Sequence, residues 1–280
     1  MEPKLNRGKD SSWSDPHQTR SPANDRFFEY YARQSQSAET RRRFTSIRDA
    51  VLRIVRMNHC ERGPLDVVDI GCGAGMLTMI WAESGHRAHG LDINRQLLEL
   101  GRQRALEVGL NVDFRVGSAL ELPWGEESMD VCLAVGFLEH VAPWETCLDE
   151  LVRVLRPGGI LFLSTTNKLC PMQQEFNLPL YSWYPRPLKR RYEKLASSAR
   201  PELANYTSYP AVNWFTFYGL RDSLAARGCR SMDRFDLVDL SDKGPARKTI
   251  IHAVRRIRPL RWLAHVATPY TIVAAIKHGR

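Results

Sequence analysis

The sequence predicts an α/β fold whose parallel sheet is covered on both faces. Three observations carry that prediction. Short apolar runs alternate with helical patterns between residues 65 and 167, a glycine-rich turn follows the first run, and an aspartate closes the second.

Taken in order, residues 1–24 mix Ser, Asp, Asn, Pro and charge, which predicts a disordered tail. Residues 25–58 are predicted to form a cap helix. Phe27, Tyr30 and Tyr31, then Ile47, Val51, Ile54 and Val55, recur at three- and four-residue spacing, and Pro64 ends the pattern. Residues 65–70 read as a buried strand, 71–85 as a turn and helix, and 87–93 as a second strand. A helix over 94–108 ends before Gly109. Strands follow at 112–117 and 129–136, then a helix at 144–155, stopped by Arg156-Pro157-Gly158-Gly159, and a fifth strand over 159–167. Strands separated by helices at this spacing pair in parallel. Residues 168–212 break the rhythm with six prolines and many aromatics, the composition of an inserted lid or binding loop. A helix over 213–227 and strands at 229–238 and 270–277 complete the chain. Residues 25–280 are therefore expected to be one domain.

Composition excludes several classes. The 280 residues are 43% hydrophobic and 25% charged, enough to bury a core and unlike a disordered or collagenous chain. The net charge of +9 is local. Residues 243–280 carry nine Lys/Arg and no acid, while the rest carries 31 basic and 31 acidic side chains. A uniformly basic nucleic-acid binder is not predicted. Six cysteines (Cys60, Cys72, Cys132, Cys147, Cys170, Cys229) form no metal-ligand spacing, and the polar start lacks an apolar signal core. The stretch 262–276 is interrupted by His265, Thr268 and Pro269 and is too short to span a bilayer. The expected compartment is the cytoplasm.

The chemistry concentrates in Asp69-Ile70-Gly71-Cys72-Gly73-Ala74-Gly75 and in Asp92, 21 residues after Gly71. Glycines at a strand-to-helix turn allow backbone to approach a ligand, and an acid at the end of the second strand can accept from both hydroxyls of a ribose. A nucleoside cofactor is predicted. The dinucleotide fingerprint needs glycine at position 76, where Met76 stands.

At these residues the sequence resembles the class I S-adenosylmethionine-dependent methyltransferases. The resemblance extends over about 65–167 and includes Gly117-Ser118-Ala119-Leu120-Glu121-Leu122-Pro123-Trp124, Phe137-Leu138-Glu139-His140-Val141 and Leu155-Arg156-Pro157-Gly158-Gly159. It implies a Rossmann-like, doubly wound, seven-stranded, mostly parallel sheet with S-adenosyl-L-methionine as cofactor. It further implies that Asp69, Gly71, Cys72, Gly73 and Gly75 face the methionine portion. Asp92 would hold the ribose and Ile93 pack on adenine. Ser118 and Ala119 would border the adenine edge, and Gly136 would lie beside the methionyl chain. Many relatives have an acid in place of Ser118, so contact there is expected from backbone amides. Within the family the stretch around Glu139 and His140 is most similar to the ubiquinone-biosynthesis O-methyltransferases. Those have an acid where this chain has Gly136, part of a metal-binding set with residues matching Glu139 and His140. Loss of that hard oxygen ligand predicts no metal.

His140 is the candidate base for removing a hydroxyl proton, since an imidazole titrates near neutral pH. Its other reading is a helix-entry or cofactor-side histidine. Glu139 would orient it, or simply begin the helix, where a carboxylate suits the dipole. The acceptor wall is expected from Tyr181, Trp183, Tyr184, Tyr206, Tyr209, Trp214, Phe215, Phe217 and Tyr218, with a small auxiliary core as the alternative. In residues 243–261, Ile250, Ile251, Val254, Ile257 and Trp262 interleave with arginines, as in an interfacial helix at an anionic membrane; a solvated face is the competing reading. The function expected is methyl transfer to a small or lipid-like acceptor, on a hydroxyl oxygen. An N- or C-methyltransferase, a non-catalytic S-adenosylmethionine-binding protein and an RNA methyltransferase remain open alternatives.

Overall fold

The structure, a computed structural model, describes residues 28, 29, 32, 36–58, 63–205, 210–241 and 243–279. The 1–24 tail, Phe27, Tyr30, Tyr31, Cys60, Tyr206 and Tyr209 lie outside the described residues.

Seven strands form one sheet: β1 (Asp66–Ile70), β2 (Arg87–Asp92), β3 (Val112–Val116), β4 (Met129–Val135), β5 (Leu155–Thr166), β6 (Cys229–Asp233) and β7 (Tyr270–Lys277). Their order is β3-β2-β1-β4-β5-β7-β6. The first five strands run parallel, and β7 is antiparallel to both β5 and β6. The doubly wound, mostly parallel sheet expected from the sequence is present. Alternate side chains along each strand serve opposite faces, so the sheet feeds two cores. Val68, Ile70, Cys132, Ala134, Leu161 and Leu163 pack with α4 (Trp144–Val154) and α6 (Phe217–Ala225). Their neighbours Val67, Val131, Leu133, Ile160 and Phe162 pack under α1 (Ala38–Met57) and α2 (Met76–Glu83). Helix α3 (Arg95–Glu107) sets Leu98 and Ala105 against Met79 and Phe114.

Helix α1 falls inside the predicted cap helix and starts where Ser37 accepts from the Thr40 amide at 3.0 Å. Elsewhere the boundaries shift for identifiable reasons. The predicted 213–227 helix begins only at Phe217. Phe215 bridges Asn167, its carbonyl accepts from the Lys168 amide at 2.7 Å, and Thr216 then caps α6 by accepting from the Gly219 amide. The predicted 229–238 strand stops at Asp233. The Asp233 carboxylate accepts from the amides of Phe235 and Asp236, turning the chain at once.

The insertion has its own architecture. It contains α5 (Arg186–Ala196) and a small core in which Phe176, Tyr181, Leu203 and Ala204 pack with Tyr184, Tyr192 and Trp214. Tyr181, Tyr184 and Trp214, expected to wall the acceptor pocket, thus belong to the auxiliary core. Phe215 and Phe217 belong to the main one.

The interleaved segment is two helices, α7 (Pro245–Arg256) and α8 (Arg258–Val266). Pro259 lacks the amide hydrogen that would bond back to Arg255, and the backbone is extended at Ile257, which separates them. Arg255 donates to the carbonyls of Phe235, Asp236 and Val238, and Arg261 pairs with Asp233 and Asp236. These two arginines tie the helices to the β6 turn.

Candidate active site

The strand order reverses between β1 and β4, and the crevice at such a point is where open α/β sheets bind ligands. The turn from Gly71 to Gly75 occupies it. The amides of Gly71 and Cys72 donate to Leu91 O at 2.8 and 3.1 Å, which locks the turn onto β2.

The three glycines do different work. A Cβ on Gly71 would fall 2.2 Å from the Phe137 ring, and one on Gly75 would fall 2.3 Å from Phe114, so both positions are filled by protein. Cys72 packs over Gly90, its sulfur 2.9 Å from where a Cβ there would stand. Only Gly73 looks onto open space, with nothing nearer than the Leu97 side chain at 3.9 Å, and its φ of +53° suits glycine. Gly136, at the end of β4, is likewise open and has φ +65°. The turn and the β4 end therefore leave a cleft floored by backbone.

Two carboxylates border this cleft. Asp92 accepts from the Gly73 amide through Oδ2 and from the Asn94 amide through Oδ1, both at 2.8 Å. Each carboxylate oxygen can accept more than one hydrogen bond, so these bonds are compatible with a ligand diol. Asp69 is buried and accepts from the Thr78 hydroxyl at 2.9 Å. Burial pushes its carboxyl up to about 7, with the Thr78 bond opposing and the nearby Asp92 charge reinforcing the rise. Ile93 is half-buried, Ala119 is buried in the core, and Ser118 Oγ accepts from the Leu120 amide at 3.2 Å.

Past Gly136, a single 3₁₀ turn (Leu138–His140) carries the candidate chemistry. Its backbone is held from the far side of the insertion. Val212 and Asn213 donate their amides to Glu139 O, and the Asn213 side chain donates to the carbonyls of Leu138 and Val141. Glu139 is buried and accepts from the Thr165 hydroxyl of β5 at 2.8 Å. Burial raises its carboxyl to about 7; His140 opposes this and Glu175 adds to it. His140 is part-exposed, and its Nε2 lies 3.9 Å from Glu175 Oε2. Its Nδ1 is enclosed without a hydrogen-bond partner among the described residues. Glu139, His140 and Glu175 bring three potential ligand atoms within 4.8 Å of one another.

The residues predicted to hold the cofactor, together with Glu139 and His140, therefore lie on the C-terminal edge of β1, β2, β3 and β4 or on the turns just beyond. The sequence reasoning missed Glu175, Thr165 and Asn213. Glu175 sits in the Pro-rich insertion, and no spacing pattern linked it to His140.

Residues 68–163 match the family model described as a methyltransferase domain. The ubiquinone biosynthesis O-methyltransferase of Rhizobium johnstonii is 30% identical over 174 residues, which cover 57% of this chain and 67% of that one. The enzyme of the same name from Chelativorans is 32% identical over 134 residues, covering 45% and 53%. The matched stretch spans about half of the length of the first such relatives. Among solved structures, an S-adenosylmethionine-dependent methyltransferase from Mesorhizobium loti superposes with a TM-score of 0.52 at 20% identity, covering 81% of this chain and 98% of the other. A phosphoethanolamine N-methyltransferase from Haemonchus contortus gives 0.51 at 14% identity, covering 82% and 53%. At these identities the structural likeness establishes the fold.

Proposed function

The chain belongs to the class I S-adenosylmethionine-dependent methyltransferases, and on that premise we propose that it methylates a hydroxyl oxygen of a small or lipid-like acceptor, with His140 as the base. The observation that carries this reading is the adjacency of an open backbone-floored cleft, ending at Gly136, and a part-exposed imidazole four residues on.

The residues fit the cofactor. Gly73 and Gly136 provide a cradle that any side chain would fill, Asp92 offers acceptor oxygens at the end of β2, and Asp69 is a buried acid with no cationic partner among the described residues. When bound, S-adenosylmethionine supplies an electrophilic methyl carbon whose bond to sulfur breaks as the acceptor oxygen attacks. In this reading Asp92 accepts from the ribose hydroxyls, and Ile93 and Ala119 give the adenine an apolar wall. The Ser118 and Ala119 amides meet its edge, and Gly71, Cys72 and Gly75 act by shaping the turn. His140 Nε2 takes the hydroxyl proton, and the Glu175 carboxylate faces the imidazolium that results.

Asp69 gives this reading a pH signature. Burial favours the neutral carboxyl up to about pH 7, whereas a cationic ligand beside it favours the carboxylate. Affinity for S-adenosylmethionine should therefore rise with pH through 7. At pH 6 roughly one carboxyl in ten would be ionised, so binding should be about tenfold weaker than at pH 8. Calorimetry across this range checks it. In Asp69→Asn the dependence should flatten; a wild-type affinity already flat from pH 6 to 8 would contradict the role.

A divalent cation is the second reading, favoured by the convergence of Glu139, His140 and Glu175. The base reading expects turnover to survive EDTA, and a strict Mg²⁺ requirement would replace it with the cation reading. Screening a methyl-labelled donor against phenols, lipid extracts, sugars and RNA identifies the acceptor class.

The same proposal treats residues 25–280 as one domain with 168–212 as its lid, and places it in the cytoplasm. The five described cysteines are free, as a reducing compartment would leave them. Among the described residues no helix is long and apolar enough to cross a membrane. Peripheral contact with an anionic membrane through 243–261 draws support from the exposed Ile250 and Ile257, with Trp262 exposed immediately beyond them, beside Arg247, Arg256 and Arg258.

A further inference from the structure

A cavity of about 610 Å³ opens between α6 and α8 over β6, the edge strand. Four strand spacings separate β6 from β1, about 19 Å at ~4.8 Å each, so the cavity is distinct from the glycine-turn cleft. We infer that it binds a phosphate ester, held by Arg258 and Arg221 and hydrogen-bonded by the Ser231 hydroxyl.

Four features of the wall point to that ligand. First, both helices begin there: Phe217 and Tyr218 open α6, and Arg258 and Arg261 lie in the first turn of α8. Helix N-termini carry partial positive charge and favour anions. Second, among the lining residues three arginines stand against one acid, Asp236. Arg261 is held by both Asp233 and Asp236, the latter the one carboxylate lining the cavity, which leaves Arg258 and Arg221 as the cations open to a ligand. Among the described residues Arg221 pairs with the exposed Asp222 of its own helix and lies 5.5 Å from the Tyr218 ring. Arg258 has no hydrogen bond or ion pair among the described residues. Third, Ser231 Oγ is enclosed on the wall and has no hydrogen-bond partner among the described residues, although buried hydroxyls are normally hydrogen-bonded. Fourth, Phe217 and Tyr218 give the wall an apolar side for the organic part of an ester. A phosphate satisfies these groups together: its oxygens match the fork of a guanidinium and accept from a hydroxyl.

The phosphate could come from a soluble ester or from a lipid headgroup, since α8 also exposes Leu260 and Leu263. The test uses the full chain, with glycerol 3-phosphate in calorimetry and vesicles of phosphatidylcholine with or without phosphatidic acid in co-sedimentation. Arg258 is exposed, so Arg258→Gln should fold, which its melting curve checks. Arg42→Gln on α1 makes the same charge change outside both the cavity wall and the 243–261 stretch. The expected result is saturable binding of glycerol 3-phosphate, weakened about 10- to 150-fold in Arg258→Gln by loss of charge-assisted hydrogen bonds. Ser231→Ala should weaken it less, and Arg42→Gln should leave it intact. If phosphatidic acid vesicles also lose binding in Arg258→Gln but not in Arg42→Gln, the site takes a lipid headgroup; if only the soluble ester depends on Arg258, it takes a soluble ligand. Absence of saturable binding of either probe, or equal losses in Arg258→Gln and Arg42→Gln, would overturn the inference.

Discussion

Replacement of His140 by alanine is expected to lower turnover by about 10²–10⁴ while affinity for S-adenosylmethionine changes little. The part-exposed imidazole lies beyond Gly136 with its Nε2 3.9 Å from Glu175, so its loss removes a proton acceptor without touching the turn that floors the cleft. Rapid-mix turnover measurements paired with calorimetry separate the two quantities. Should cofactor affinity fall in step with activity, His140 is a cofactor contact. Glu175→Gln keeps the shape of the side chain and removes its charge. It should lower kcat by a smaller factor and leave cofactor affinity unchanged, whereas loss of fold stability without a change in kcat would make Glu175 a merely structural residue.

Asp92→Ala should weaken S-adenosylmethionine binding roughly 10- to 150-fold, because hydrogen bonds to a charged acceptor contribute about 1.5–3 kcal/mol. The structure adds a second consequence. The same carboxylate accepts from the Gly73 and Asn94 amides, so the alanine variant also frees the glycine of the turn that faces open space. Asp92→Asn keeps a single acceptor oxygen and should lose less. An unchanged affinity in a folded Asp92→Ala variant would remove the ribose role. Gly73→Val should abolish binding altogether: the position has φ +53°, and a branched side chain would fill the cleft.

Local patterns made the sheet and the cleft legible. Apolar runs with turn residues between them identified β1 to β5, and the glycines after β1 and the acid ending β2 are close in sequence to the strands that position them. The ends of elements were less legible, because tertiary partners decided them. Asn213 lies outside the helix and holds the carbonyls of Leu138 and Val141, which delays α6 until Thr216 can cap it. Asp233 turns the chain through its own side chain and cuts the predicted strand short. Glu175 was not legible at all. It reaches His140 only because the insertion folds around Tyr181 and Trp214, and those same rings, read from composition as acceptor wall, are the core that positions it. Arg255, read as part of a surface stripe, instead binds three carbonyls of the β6 turn.

Incubation with methyl-labelled S-adenosylmethionine and a panel of phenolic and lipid-like alcohols, followed by mass spectrometry, tests the central claim most directly. The account expects the label on an acceptor oxygen with the wild-type chain, and its near-complete loss with His140→Ala. Saturable cofactor binding with no label on any oxygen, or label only on nitrogen or carbon, would contradict it.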